Sequence, residues 1–243
     1  MRFDIMTLFP DMIKSITESS IIGRAQTAGI IDIHVHNIRD FSKDKHRKVD
    51  DTPYGGGMGM LMTVQPIMDC FESFSNELPE NRCVIYTSPK GKCFNHSKAI
   101  ELSKYESIVI LCGHYEGIDS RVEELLIDEL ISIGDFVLTG GELPAAIIVD
   151  AVSRLLPGVL ADDICFEDES IASGLLEYPQ YTKPVEYMGL RVPDVLLKGN
   201  HSDICKWRRE KALTETAIHR PDLLENAPLT KEDILTLEKI NNS

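Results

Sequence analysis

Two continuous apolar stretches, each followed by a glycine loop and then by helix-like spacing, dominate the pattern along the chain. Ile108–Leu111 leads into residues 112–117, and Leu130–Leu138 leads into residues 138–143. An apolar strand followed by a glycine loop and a helix is typical of an α/β unit. In such units ligands bind outside the carboxyl ends of the strands, where the loop meets the helix. The pattern therefore predicts a binding site formed by residues 112–117 and 138–143.

The glycines of these two loops have a second interpretation. Glycine adopts positive φ without steric cost, so the glycines can serve turns alone. Neither loop matches the GxGxxG or GxxxxGK[ST] nucleotide fingerprints. The spacing by itself does not decide between a turn and a binding loop.

The helix predicted after Gly141 is apolar on nearly all sides. Such a helix is buried, either in a core or in a subunit interface. At its end Asp150 and Arg154 are four residues apart and can form an ion pair. Because a charge on so apolar a helix is costly unless it is paired or used, Arg154 is a candidate functional residue. The apolar positions are Ala145, Ala146, Ile147, Ile148, Val149, Ala151, Val152, Leu155 and Leu156.

Other parts of the chain predict further elements and one long irregular segment. Segment 38–62 contains Asp50, Asp51, Tyr54 and four glycines, and loops of this length are uncommon unless functional or disordered. Thr230 and Asp233 are placed to cap a helix. Apolar patterns predict strands over 2–9, 30–37 and 81–86, and helices over 10–19, 63–73, 203–218 and 231–240.

Composition places the chain among globular proteins of a reducing compartment. Its 243 residues are 43% hydrophobic and 26% charged, and no apolar run approaches the roughly 18 residues of a membrane span. The N-terminus lacks the features of a signal peptide, and the six cysteines form no CxxC pair, so we expect a cytoplasmic protein. A net charge of −14 argues against bulk electrostatic binding of nucleic acid, although residues 198–211 carry a local positive excess.

Six sequence blocks, in order along nearly the whole chain, resemble bacterial tRNA (guanine-N1)-methyltransferases. They are VDDTPYGGGMGMLM (49–62), IYTSPKG (85–91), LCGHYEGIDSRV (111–122), SIGDFVLTGGELPA (132–145), GLLEYPQYTKP (174–184) and VLLKGNHSDICKWRR (195–209). The resemblance implies an α/β fold of the SPOUT type, with a parallel sheet, a trefoil knot and a small C-terminal helical domain. It implies a donor-binding catalytic domain at 1–160, a linker at 161–174 and a helical tRNA-binding domain at 175–243.

The resemblance also implies an activity and its partners. The family works as a homodimer with each active site at the subunit interface. It transfers a methyl group from S-adenosyl-L-methionine to N1 of the guanine at position 37, in the anticodon loop of tRNA. Its reaction depends on magnesium, for which the sequence shows no evident site. No membrane partner is expected.

Residues of three loops match the family's donor pocket. The family more often has Tyr where Phe136 stands. By motif, the implied donor-binding residues are Tyr86, Thr87, Ser88, Pro89, Gly113, Tyr115, Glu116, Gly117, Ser132, Ile133, Gly134, Phe136, Val137, Leu138, Gly140, Gly141 and Pro144.

The implied catalytic residues are Arg154 and a carboxylate of the linker. N1 of guanine is protonated at neutral pH, and a positioned carboxylate can remove that proton while an arginine stabilises charge on O6. The family has Asp-Ser where this chain has Glu169-Ser170, with Asp168 one residue earlier. Glu169 keeps the register but is one methylene longer, whereas Asp168 has the family's length but is displaced. We favour Glu169 as the base.

Two alternatives remain open at the level of sequence. The first is a SPOUT methyltransferase that acts on another RNA site, against which the YGGGMGM loop and the C-terminal helical region argue. The second is a non-catalytic RNA-binding protein, which the departure at Glu169 keeps open.

Overall fold

The structure, a computed structural model, describes residues 1–160, 170–171 and 173–241, with residue 241 described by its backbone only. The chain divides into two units, Met1–Ala161 and Asp162–Ser243. In chain order the first unit contains β1 (Arg2–Thr7), α1 (Pro10–Thr17), α2 (Ser20–Thr27), β2 (Asp32–Asn37), a 3₁₀ helix (Ile38–Phe41), β3 (Asp50–Asp51), β4 (Leu61–Met62), α3 (Val64–Ser75), β5 (Arg82–Cys93), α4 (His96–Leu102), β6 (Ser107–Cys112), α5 (Ser120–Leu126), β7 (Glu129–Ser132) and α6 (Glu142–Ser153).

Five strands of the first unit form one parallel sheet. Their order is β2-β1-β6-β5-β7, and every neighbouring pair is parallel. After β6 the chain crosses over β5, and β7 pairs with the other side of β5 at the edge of the sheet. β3 and β4 form a separate antiparallel pair. The predicted α/β class with a parallel sheet is confirmed.

Helices cover both faces of this sheet because successive side chains of each strand point to opposite faces. In β6, Ile108 and Ile110 pack in one core with residues of α1, α2, α4 and α6. Val109 and Leu111 pack in the other core with residues of α3 and α5. The first unit therefore has three layers, with all carboxyl strand ends at one edge.

The apolar run Leu130–Leu138 is only partly a strand. β7 ends at Ser132, and Gly134 has φ = +144°, a conformation outside a regular strand. Phe136 and Val137 are 55% and 85% exposed. The prediction of one apolar strand over Leu130–Leu138 is wrong for residues 133–138, because an apolar run does not by itself show where the chain leaves the sheet.

α6 is buried along one face and exposed along another. Ala145, Ile148, Val149 and other residues of α6 are in the core, but Leu143 and Ile147 are 44% and 46% exposed. The first unit therefore does not bury the whole apolar surface of this helix.

The second unit is helical and has a small core of its own. Leu175, Ala212 and Leu213 are buried there. The predicted capping of the last helix is confirmed, since Asp233 N–H donates to Thr230 Oγ1 (3.2 Å) and Thr230 N–H donates to Asp233 Oδ2 (2.8 Å). The elements of the second unit are β8 (Glu186–Tyr187), β9 (Leu190–Arg191), α7 (Asp194–Leu197), α8 (His201–His219), a 3₁₀ helix (Pro221–Glu225) and α9 (Lys231–Asn241). None of the helices in the described part of the chain has the length and apolarity to cross a membrane.

Candidate functional site

Three loops meet at the carboxyl edge of the sheet in the first unit. One loop follows β6, one follows β7, and the third is a bulge inside β5. Thr87 and Lys92 both pair with Ile131, so residues 88–91 leave the ladder between them. Because β5, β6 and β7 are parallel neighbours, their ends bring the three loops to one place.

Backbone hydrogen bonds join these loops to one another. Gly141 N–H donates to the carbonyl oxygen of Gly113 (2.8 Å), and His114 and Gly140 form an isolated antiparallel bridge. Met62 N–H, at the end of β4, donates to the carbonyl oxygen of Gly117 (2.9 Å). The loop after β6 is thus held between the loop after β7 and the end of β4.

Two glycines permit this close approach because a side chain would not fit. A Cβ on Gly141 would meet Thr87 Oγ1 and would lie 2.7 Å from Cys112 Cα and 2.9 Å from Gly113 N. A Cβ on Gly113 would lie 2.8 Å from the Tyr86 ring. The interpretation of these glycines as turn residues alone is therefore insufficient.

The loops enclose a cavity of about 450 Å³, a size typical of small-molecule sites. All seventeen residues predicted from the motifs line it, from Tyr86 to Pro144; their role in binding stays a prediction. The cavity also includes residues that sequence reasoning missed. These are Leu61, Lys90, His114, Ile118, Glu123, Ile131 and Thr139.

The cavity contains charged side chains and hydroxyl groups. Burial and the nearby charge of Glu123 raise the pKa of Tyr86 to about 12, so its hydroxyl keeps its proton at neutral pH. Lys90 Nζ and Glu123 Oε1 form an ion pair at 2.8 Å. Glu116 supplies a second carboxylate. The lining also has hydroxyl and imidazole groups, among them Thr87, Ser88 and His114, beside the glycines and apolar side chains that suit a flat heterocycle.

Tyr115 is the one non-glycine residue among the predicted donor residues with positive φ (+58°). Its ring makes an edge contact with His114 (4.9 Å between centroids), and its hydroxyl accepts a hydrogen bond from Arg39 Nη2 (3.4 Å). Backbone strain of this kind persists only where the surroundings impose it, and it is common at functional sites. Arg39 was not predicted, since it lies 76 residues earlier in the chain.

Arg154 lies away from the cavity. It is the C-cap residue of α6, whereas the cavity lies at the N-terminal end of that helix, where Gly141 is the N-cap. Twelve helical residues span about 18 Å, more than an arginine side chain can bridge. Arg154 does not line the cavity among the described residues. Glu169 and Asp168, the two predicted bases, lie outside the described residues.

Exposed apolar side chains of α1 and α6, with the residue before α1, form a second feature of the first unit. We call Phe9, Met12, Ile16, Leu143 and Ile147 the apolar strip. Each is between 39% and 46% exposed, and α1 packs against α6. Phe9, Met12 and Leu143 also share a small cavity. An apolar surface of this kind commonly marks an interaction site.

The second unit presents aromatic and basic side chains together. The rings of Tyr178 and Tyr181 lie 6.3 and 6.4 Å from that of Trp207, and Arg208 lies over the Tyr178 ring at 4.9 Å. Arg209 has a different role. Its Nη2 forms an ion pair with Asp233 Oδ2 at 2.9 Å.

The buried carboxylate of Asp233 depends on this ion pair. Hydrogen bonds, chiefly from Arg209, lower the pKa of Asp233 to about 2. Arg209 is therefore held by Asp233, whereas the guanidinium of Arg208 lies over an aromatic ring.

Known proteins resemble this chain along nearly its whole length. The family described as "tRNA (Guanine-1)-methyltransferase TrmD" matches residues 1–226. Three curated relatives are each named tRNA (guanine-N(1)-)-methyltransferase. The relative from Ruminiclostridium cellulolyticum is 54% identical over 228 residues, 94% of this chain and 98% of the relative. That from Geotalea uraniireducens is 53% identical over 240 residues (99% and 97%). That from Geobacter sulfurreducens is 55% identical over 233 residues (96% and 95%).

Proposed function

The chain belongs to the tRNA (guanine-1)-methyltransferase family, and we propose that it transfers the methyl group of S-adenosyl-L-methionine to N1 of guanine 37 in tRNA. The chain is thus an enzyme, a tRNA (guanine-N1)-methyltransferase. The methyl donor, the tRNA position and the residue roles are our proposals. The observation that carries them is the cavity at the carboxyl ends of β5, β6 and β7, which collects all seventeen predicted donor residues.

The proposed donor fits the shape of this cavity. Adenine can be held by main-chain N–H and C=O groups only if the backbone approaches it closely, and Gly113 and Gly141 have no room for a side chain. Apolar residues such as Ile133, Leu138 and Pro144 provide flat contacts. The bound donor would supply an electrophilic methyl group on a sulfonium. We propose that the three loops form the trefoil knot of the SPOUT fold. The crossing of the chain from β6 over β5 to β7 supports this proposal.

The proposed chemistry requires a base for guanine N1 and a cation near O6. Glu169, or alternatively Asp168, removes the N1 proton, and Arg154 stabilises the negative charge that moves to O6. The described residues contain no group of three His, Cys, Asp or Glu side chains that could hold a metal ion. These residues therefore offer no evident magnesium site.

The position of Arg154 favours a homodimeric site. Within one chain it lies one helix length, about 18 Å, from the cavity rim at Gly141. If both act on the same guanine, Arg154 must come from a second subunit. The apolar strip, adjacent to the cavity, offers a surface for that subunit.

This arrangement can be tested by combining two variants that are each impaired when the donor concentration is well below the Kd of Gly141→Ala. In a mixed dimer of Arg154→Ala and Gly141→Ala subunits, one site joins an intact cavity to an intact Arg154. At that donor concentration we expect the mixed dimer, isolated after co-expression with two affinity tags, to be more active than either homodimer. An inactive mixed dimer that still binds the donor would contradict the shared site.

We propose that the second unit binds the anticodon region of tRNA. Arg208 and Trp207 can contact phosphate and stack on an unpaired base, respectively, and single-stranded RNA is commonly recognised by such side chains. Lys206, on the same helix, adds positive charge. We further propose a cytoplasmic location, where tRNA is available.

A single assay separates this function from its alternatives. We expect labelled methyl transfer to a tRNA transcript with guanine at position 37 and none to the matched transcript with adenine there. Label at a different guanine would identify a methyltransferase for another RNA site. Binding of both transcripts without transfer would indicate a non-catalytic RNA-binding protein.

A further inference from the structure

An ion pair at the rim of the donor cavity has no role in the function described so far. Lys90 is on the bulge of β5, and Glu123 is on α5. Their charged atoms, Nζ and Oε1, are 2.8 Å apart, and both residues line the cavity. The side chain of Lys90 is 66% exposed and that of Glu123 is 20% exposed. Lys90 can therefore move toward a ligand, whereas Glu123 is held nearer the interior.

The charges of the cavity restrict where a charged ligand can bind. Among the described residues that line it, Lys90 is the only lysine or arginine, and Glu116 and Glu123 are the only carboxylates. The amino-acid end of the proposed donor carries one carboxylate and one ammonium group. A carboxylate is bound most strongly by a cationic donor, and an ammonium group by a carboxylate. Lys90 and Glu123 supply one of each at neighbouring positions.

We propose that Lys90 and Glu123 bind the amino-acid end of the methyl donor, with Lys90 donating to its carboxylate and Glu123 accepting from its ammonium group. This inference rests on the proposed donor. In the free protein the two side chains form one ion pair with each other. In the complex they form two ion pairs with the amino-acid end of the ligand, which has no net charge. The amino-acid end itself brings no net charge into the cavity, so the cost of its desolvation is limited. The pair is a specificity determinant for the amino-acid end, which adenosine-binding groups alone would not recognise.

Two ligands that differ only in that end provide the test. S-Adenosylhomocysteine keeps the amino-acid end, whereas 5′-methylthioadenosine keeps the adenosine and sulfur but lacks it. For Lys90→Met we expect the Kd of S-adenosylhomocysteine to rise about three- to tenfold, with less than a twofold change for 5′-methylthioadenosine. Glu123→Gln should show the same selectivity, and Lys90→Arg should restore most of the affinity because it keeps the positive charge.

Lys92 provides a matched control, since it is exposed on the same strand but does not line the cavity. Lys92→Met changes net charge equally, so we expect both ligands to bind it as they bind wild type. Equal weakening of both ligands in Lys90→Met would mean that the ion pair only shapes the cavity, and the inference would be wrong. Unchanged binding of both would also overturn it. If wild-type protein binds neither ligand, the proposed donor itself is wrong and the inference falls with it.

Discussion

Gly141→Ala tests whether the cavity is the donor site, because it changes the contact between two loops and little else. Gly141 has φ = −85° and ψ = −1°, so alanine is compatible with its backbone conformation. The added Cβ would nevertheless meet Thr87 Oγ1 and lie 2.7 Å from Cys112 Cα and 2.9 Å from Gly113 N. Two of these three atoms belong to the backbone where β6 ends and its loop begins, and backbone atoms cannot rotate away as a side chain can.

The size of the effect follows from these distances. Reaching an ordinary contact of 3.4 Å requires separations of 2.7 and 2.9 Å to open by 0.7 and 0.5 Å. Overpacking of this kind costs about 1–3 kcal/mol, which corresponds to a Tm lower by about 2–12 °C. The loops that shift are those proposed to hold adenine. We therefore expect the Kd of S-adenosylhomocysteine to rise about tenfold or more.

Calorimetric titration and thermal unfolding should be measured on the same samples. Gly29→Ala is the matched control. Gly29 has φ = +71° with no atom within 4 Å of an added Cβ, and it lies between α2 and β2, away from the cavity. That variant should lower Tm through backbone strain alone and leave donor affinity unchanged. If Gly141→Ala lowers Tm but binds the donor within twofold of wild type, the donor site lies elsewhere.

Three further predictions concern the base and the second unit. Glu169→Gln should lower the single-turnover methyl-transfer rate by about 10²–10⁴-fold, and Asp168→Asn should have little effect; the reverse ranking would transfer the role to Asp168. Arg208→Ala should weaken tRNA binding and flatten its salt dependence, and equal salt slopes for this variant and wild type would contradict a phosphate contact. Arg209→Ala should instead lower the free energy of unfolding in a denaturant titration, because it leaves Asp233 buried without its ion pair. The folded-state pKa of Asp233 is about 2, so its carboxylate should stabilise the folded protein by about 1 kcal/mol after solvent screening. This stabilisation should be present above pH 4 and lost as pH falls toward 2, so the difference in unfolding free energy between wild type and Asp233→Asn should close over that range. A difference that stays constant with pH would contradict the lowered pKa.

The position of the candidate site could be predicted from the sequence, and the reason is topological. A glycine directly after an apolar strand marks the strand's carboxyl end, and parallel strands place those ends at one edge. Loops 112–117 and 138–143 therefore lie next to each other, as predicted. The sequence pattern predicts that the strand over 81–86 ends at Tyr86, with the third loop directly after it. The structure instead continues β5 to Cys93 around the bulge at 88–91.

Features that depend on distant partners could not be predicted. Arg208 and Arg209 are adjacent and chemically identical in sequence, yet Arg209 binds Asp233 from 24 residues away, while Arg208 lies over an aromatic ring. A local count of charges cannot separate them. Likewise Lys90 and Glu123 carry no signal of their pairing across 33 residues, and so the charged rim of the cavity was missed.

The apolarity of α6 poses a related question, since hydrophobic spacing shows that a helix is buried but not by what. One face of α6 packs in the core of its own unit, while Leu143 and Ile147 remain in the exposed apolar strip. The same helix begins at Gly141, beside the cavity, and its C-cap is Arg154. If two copies of α6 meet antiparallel about a two-fold axis, the interface is self-complementary, and the start of each helix lies near the end of the other. Each helix would then bury its second apolar face and place Arg154 near the cavity of the other copy. This would account for the proposed role of Arg154 although it lies a full helix length from the cavity of its own chain.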